Sequence, residues 1–193
     1  MKTRALAAVL TLTMILSACS GGRAAALAEE TAAFYAGLTR FSAEAEVTLD
    51  HGDSVSVYTL THEYAGGVHT LTVTSPPGLA GLVFTADGDS LELRFAGAVF
   101  APRSLEGTGA TPMKLLPDAL RALGGGLFDG VTLSDGCLTL NAWSRTDGDE
   151  FAHRIALDPE TRLPLSDEIF LRGRMVMRTV YRSASAESAA ERP

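Results

Sequence analysis

The sequence predicts an α+β chain, mainly β, with one large antiparallel sheet and its helices gathered on one face. Three observations carry this. Short runs alternate apolar and polar residues with a period of two and are separated by Gly, Pro and Asp turns. Only two segments have helical spacing, one near the N-terminus and one in the centre. The strands form two groups on either side of the central helix instead of alternating with helices, which argues against a parallel Rossmann-like sheet.

Leu27 to Leu38 reads as an amphipathic helix. Leu27, Phe34, Tyr35 and Leu38 share a stripe, and Glu29 and Glu30 suit the positive end of the helix dipole. After Arg40 the period changes to two: Ala43, Ala45, Val47 and Leu49 alternate with Ser42, Glu44, Glu46 and Thr48. Ser54 to Tyr64 and Val68 to Thr74 follow as strands around a Gly66-Gly67 turn, and Pro76-Pro77-Gly78 breaks the ladder. Gly81 to Ala86 and Leu91 to Phe95 flank Asp87-Gly88-Asp89, a hairpin signal, with Ala98 to Ala101 as a further short strand. Thr111-Pro112 starts the central helix, in which Met113, Leu116, Leu120 and Leu123 recur at helical spacing. Pro117 is expected to kink or divide it, and Gly124-Gly125-Gly126 to end it. Strands return at Leu127 to Leu133, Cys137 to Trp143, Glu150 to Leu157, Leu163 to Leu171 and Arg174 to Tyr181. Residues 183–193 are Ala, Ser, Glu and Arg with a final Pro, and read as a disordered tail.

The N-terminus carries a different signal. Lys2 and Arg4 precede an uncharged, largely apolar run, Ala5 to Leu16, which is short for a bilayer span. Ser17 and Ala18 are small, and Cys19 follows. Leu16-Ser17-Ala18-Cys19 is similar to the lipobox of bacterial lipoprotein signal peptides. That resemblance implies that 1–18 is a cleaved signal peptide and that Cys19 carries lipid on its thiol. Residues 19–26 would then be a lipidated tether and 27–182 a single domain, held extracytoplasmically on a bacterial membrane by acyl chains such as palmitate.

Charge and chemistry narrow the function. The chain has 16 basic and 23 acidic side chains, net −7, and loss of Lys2 and Arg4 would take it near −9. Such a balance offers no electrostatic case for nucleic acid, nor for adhesion to an anionic membrane by charge alone. Cys19 and Cys137 are the two cysteines. With Cys19 lipidated, no disulfide framework or cysteine-based zinc site remains, and Cys137 reads as a small buried residue. HExxH, GxSxG and SxxK are absent, so the chain is not expected to be an enzyme, and no cofactor or resident metal is expected. His62 and His69 could face each other across the Gly66-Gly67 hairpin beside Glu63, but read better as solvated strand residues. Asp147-Gly148-Asp149-Glu150 has a fragment of calcium-loop character but reads as a turn. Arg172, Arg174, Arg178 and Arg182 share one parity. They read first as the wet face of an edge strand and second as a docking surface for an acidic envelope protein or lipid headgroups.

The order of parts resembles the LolA/LolB/LppX-like lipoprotein carrier superfamily. The local matches are Leu157-Asp158-Pro159-Glu160-Thr161-Arg162-Leu163-Pro164 leading into Asp167-Glu168-Ile169, and the stretch from Val73 through Pro76-Pro77-Gly78 to Leu82. The resemblance implies a curved antiparallel sheet, an unclosed half-barrel, with the N-terminal helix and the kinked central helix on its concave face. Between them would lie an apolar cavity for a lipid or acyl chain. Phe84, Leu91, Leu93 and Phe95 are the lining candidates on the sheet, with Met113, Leu116 and Leu120 from the helical lid. Two readings of these residues stand: a ligand cavity, or a filled core in a structural or sensor lipoprotein that acts through its surface.

Overall fold

The structure is a computed structural model that describes residues 22–88, 90–100, 112–146 and 148–191. The signal segment, Cys19, Thr111, Asp89 and Asp147 lie outside the described residues.

The chain begins with helix α1 (22–36). A meander of six strands follows: β1 (Leu38–Asp50), β2 (Val55–Ala65), β3 (Val68–Ser75), β4 (Val83–Asp87), β5 (Ser90–Phe95) and β6 (Ala98–Phe100). Helix α2 (Pro112–Gly125) leads into β7 (Gly130–Ser134), β8 (Cys137–Thr146), β9 (Asp149–Leu157), β10 (Pro164–Leu171) and β11 (Arg174–Ser188). A 3₁₀ turn, Ala189–Glu191, ends the described chain. All strands join one 11-stranded antiparallel sheet in the order β6-β5-β4-β3-β2-β1-β11-β10-β9-β8-β7. The sheet is not closed: among the described residues β6 and β7 are its edge strands, as in an open half-barrel.

The first and last strands join the two meanders. β1 pairs β11 from Leu38↔Ser188 to Leu49↔Met177 and pairs β2 on its other side. One face of β1 presents Phe41, Ala43, Ala45, Val47 and Leu49, all buried, and this period-two row is the centre of the core. Inner rows from Leu60 and Leu71 on one wing and Leu140, Phe151 and Ile155 on the other continue it.

Three expectations change. The tail expected to be disordered instead forms the end of β11 as far as Ser188. Its Ala and Ser side chains before Ser188 bury little, but its backbone pairs β1, and the buried Ser188 hydroxyl donates to the Phe34 carbonyl at 2.7 Å. Second, β11 is interior, between β1 and β10, so the late arginines do not line an edge strand. Third, Pro117 sits inside one continuous helix, which it does not divide. Leu115, Leu116, Ala119, Leu120 and Leu123 are all buried against the sheet, and this packing outweighs the missing backbone donor.

The tether also begins earlier as helix, since α1 starts at residue 22 and Ala24 is buried. Cys137 opens β8 and is half-buried.

Candidate functional site

Both helices lie on the inner face of the sheet. α1 is fixed through the β9–β10 turn. Asp158 Oδ1 accepts from the Glu160 and Thr161 amides at 2.9 and 2.8 Å, and these bonds hold its carboxyl below the usual range. The turn presents the Arg162 carbonyl to the Tyr35 hydroxyl, which donates at 2.9 Å. Arg162 also sets its guanidinium over the ring of Phe34, 5.7 Å from the centroid, a cation–π contact. α2 packs mainly on β8 and also on β1. Its C-terminal turn abuts α1 at Gly124, where a Cβ would come within 3.1 Å of the Tyr35 backbone. Gly126, at φ +66°, then ends the helix.

The inner face is apolar with two polar seams. In the first, His62 Nε2 and His69 Nδ1 are 3.1 Å apart, and both rings are buried. The sequence pattern faces them toward each other but in solvent; the inner parity of β2 and β3 puts them in the core. Burial, then the neighbouring His69, pushes His62 down to about 3; burial, then Arg121, pushes His69 down to about 4. Both imidazoles are therefore neutral near pH 7.

The second seam crosses three strands diagonally. Ser144 Oγ lies 2.8 Å from His153 Nε2, and His153 Nδ1 lies 3.1 Å from Asp167 Oδ2. His153 and Asp167 have no exposed surface, and burial raises the Asp167 carboxyl despite the opposing bond to His153. Next to it, Thr146 and Arg121 both bond to Asp118 on α2. The sequence reading missed the Ser144–His153–Asp167 chain. Its members lie on separate strands, and only the β8–β9–β10 register brings them together. Chemically it resembles a hydroxyl–imidazole–carboxylate relay, set in the floor of the core, where it pairs polar groups that burial would otherwise penalise.

The residues named for a ligand cavity fall into two groups. Phe84, Leu116 and Leu120 are buried members of the core, with Met113, Leu91 and Leu93 packed against it and only partly buried. Phe95 is half-exposed at the end of β5. Leu91, Leu93 and Phe95 occupy successive inner positions on the wing away from β8, the main support of α2. A separate cleft of about 290 Å³ opens between Tyr35, Tyr64, His69, Leu120 and Arg121.

The four arginines are dispersed. Arg172 is in the β10–β11 turn and pairs with Asp149 at 3.3 Å. Arg174 donates to the Asp50 carbonyl at 3.3 Å. Arg178 faces Glu168 at 4.0 Å, and Arg182 pairs with Glu46. Two register shifts in β11 interrupt the parity that the sequence suggested. Among the described residues no group of three or more His, Cys, Asp or Glu is placed to hold a metal, and no helix is long and apolar enough to cross a membrane.

No family model matches the chain, and no curated protein matches it. Solved structures do. An uncharacterized conserved protein from Thermus thermophilus aligns at TM-score 0.50 and 7% identity, covering 81% of this chain and 84% of that one. A LolA superfamily protein from Nitrosomonas europaea aligns at TM-score 0.45 and 11% identity, covering 86% and 94%. The lipoprotein LppX from Mycobacterium tuberculosis aligns at TM-score 0.37 and 14% identity, covering 80% and 92%. The likeness to the Thermus protein is one of fold alone, and the two lower scores carry no functional argument. Solved structures similar to this chain therefore include a LolA superfamily protein and the lipoprotein LppX.

Proposed function

We propose that this is a membrane-anchored, extracytoplasmic, non-catalytic lipoprotein that binds a lipid or another apolar ligand on the inner face of its open sheet. The observation that carries the reading is the half-buried row Leu91, Leu93 and Phe95, with Met113 facing the same apolar cluster. A partly buried apolar row on the inner face of an open sheet suits an acyl chain. Leu116 and Leu120, the other lining candidates on α2, are already buried in the protein's own core. The anchor in this reading is the lipidated thiol of Cys19, so the protein works tethered to a membrane and not as a freely diffusing shuttle.

Native mass spectrometry of the protein purified without its acyl anchor tests the ligand. A retained mass that organic solvent extracts as lipid is the expected result. Absence of lipid, together with no binding of a fluorescent fatty-acid probe, overturns it. Cys19→Ala is expected to release the protein from membranes.

One observation favours a second reading. Leu115, Leu116, Leu123, Leu138 and Leu140 show essentially no exposure, so the α2 half of the inner face is a filled core. A structural or sensor lipoprotein would use that solid body to present an outer surface to an envelope protein. Failure of every lipid assay with the fold intact would select this reading.

A further inference from the structure

The outer face of the sheet carries a groove of about 670 Å³ across β8, β9 and β10, on the side opposite the apolar inner face. Its floor follows from register. Trp143 on β8 stands directly opposite Ala152 on β9, which stands directly opposite Phe170 on β10. One small side chain between two aromatic ones makes a slot. With neighbouring strands about 4.8 Å apart, its walls are about 10 Å apart. Trp143 is the only tryptophan of the chain, and it is 50% exposed. Its indole N–H donates to Asp129 Oδ2 at 2.8 Å, which fixes the ring while leaving a face open.

Polar groups border the slot on both sides. On one side, Asn141 lies opposite Arg154, whose guanidinium sits 5.2 Å from the Phe170 centroid and pairs with Glu168 at 3.2 Å. On the other side Glu150 pairs loosely with Arg145 at 3.5 Å. The border therefore offers donors and acceptors together, with charges of both signs close to balance.

We infer that this groove is a saccharide-binding site that stacks a pyranose ring on Trp143 over the Ala152 floor. The aromatic face is electron-rich, and the weakly positive C–H bonds on one face of a pyranose complement it. The hydroxyls around the same ring both donate and accept, which suits an amide, a carboxylate and a guanidinium around one slot. The volume is within the usual range for a small-molecule site of about 300–1,000 Å³. Other occupants fit less well. β8, β9 and β10 are paired on both sides, so no peptide can add to them as a strand. A proline-rich helix presents few N–H groups and would use little of this mixed donor-and-acceptor border. The acidic chain disfavours nucleic acid.

The test is independent of the lipid reading, since it addresses the opposite face of the sheet. Trp143 is its own reporter. Titration of the anchor-free protein with chitotetraose and with maltotetraose, up to about 10 mM, is expected to change tryptophan fluorescence saturably with at least one of them. Ala152→Leu, which fills the slot and keeps Trp143, is expected to weaken that response at least about tenfold, with unchanged circular dichroism. Trp143→Ala is expected to abolish binding in calorimetry. No saturable response to either oligosaccharide overturns the inference. So does binding that survives Ala152→Leu, or a concentration-dependent self-association that Trp143→Ala abolishes while neither sugar competes.

Discussion

His62 Nε2 lies 3.1 Å from His69 Nδ1 inside the core, with His62 devoid of exposed surface. Phe41 packs edge-on against His62, Tyr64 lies beside His69, and the Arg121 guanidinium is the nearby fixed charge. One proton lies in the bond between the two neutral rings; the first proton added to the pair puts an imidazolium in an apolar site, and a second would place two cations together there. Both folded-state values are lowered, to about 3 and about 4, from an ordinary value of 6.5. Between those values the unfolded chain binds more protons than the folded one, so stability rises with pH. The pair's full contribution is present above pH 6.5 and is lost as pH falls toward 4. Urea midpoints measured from pH 7.5 to 4.0 are expected to fall, and a His62→Phe, His69→Leu double variant to flatten that slope. An unchanged slope in the double variant would exclude the pair as its source.

Ser188 closes the fold at the start of β1, where it pairs with Leu38. Its hydroxyl bonds the Phe34 carbonyl, and the next amide, Ala189, donates to the Gly37 carbonyl at 2.8 Å. Gly37 is needed there because a Cβ would come within 2.8 Å of Ser188 Oγ. Ser188→Ala leaves a buried carbonyl without this donor and is expected to cost about 1 kcal/mol. Truncation after Arg182 removes the partner of residues Leu38 to Glu44 and is expected to lower the Tm by much more. A truncated protein with the full-length Tm would show that the β1–β11 extension is not structural.

These two cases mark how far the sequence could be read. The strands themselves were legible because β1, β2, β8 and β9 alternate with a clear period of two. The His62–His69 pair was visible too, because both residues lie on the strands flanking Gly66-Gly67, where the register sets them diagonally, His62 opposite Leu71 and His69 opposite Tyr64; what the spacing could not tell was which face turns inward. The run Ser183 to Ser188 was not legible, because small residues that contribute mainly backbone bonds have the composition of a disordered tail. Pro117 left a kink and a division of the helix both open for a related reason: local propensity opposes a continuous helix, while the burial of Leu115, Leu116 and Leu120 that rules out the division lies in the tertiary structure. Of the candidate site, Leu91, Leu93 and Phe95 could be named from alternation, but not their lesser burial relative to Phe84. The Ser144–His153–Asp167 chain depends on the alignment of three strands and leaves no motif in one dimension.

That chain gives a third prediction. Asp167→Ala removes the partner of His153 Nδ1 from a site with no exposed surface, and the unpaired imidazole is expected to cost about 1–3 kcal/mol. Ser144→Ala, at a half-buried position, is expected to cost less. Non-catalytic binding also implies that a fluorophosphonate probe does not label Ser144, as read by intact mass. Labelling that Ser144→Ala and His153→Ala both abolish would replace a structural role for the chain by a nucleophilic one.

Substitutions on the inner face separate ligand binding from folding. Leu116 is fully buried on the sheet-facing side of α2, so Leu116→Glu would bury an unpaired charge and is expected to unfold the protein. Phe95 is half-exposed at the end of β5, where a carboxylate can reach water. Phe95→Asp is therefore expected to preserve the Tm within about 5 °C, a shift on the scale of 1 kcal/mol for a chain of this size. The same change puts charge beside Leu93 in the path of an acyl chain and is expected to weaken a fluorescent fatty-acid probe at least about tenfold. Leu93→Ala, which removes apolar surface without charge, is expected to give a smaller loss in the same direction. Equal probe affinity in wild type, Phe95→Asp and Leu93→Ala would move the ligand off this wing of the sheet, with the cleft between Tyr64 and Arg121 the next site to test by Tyr64→Ala.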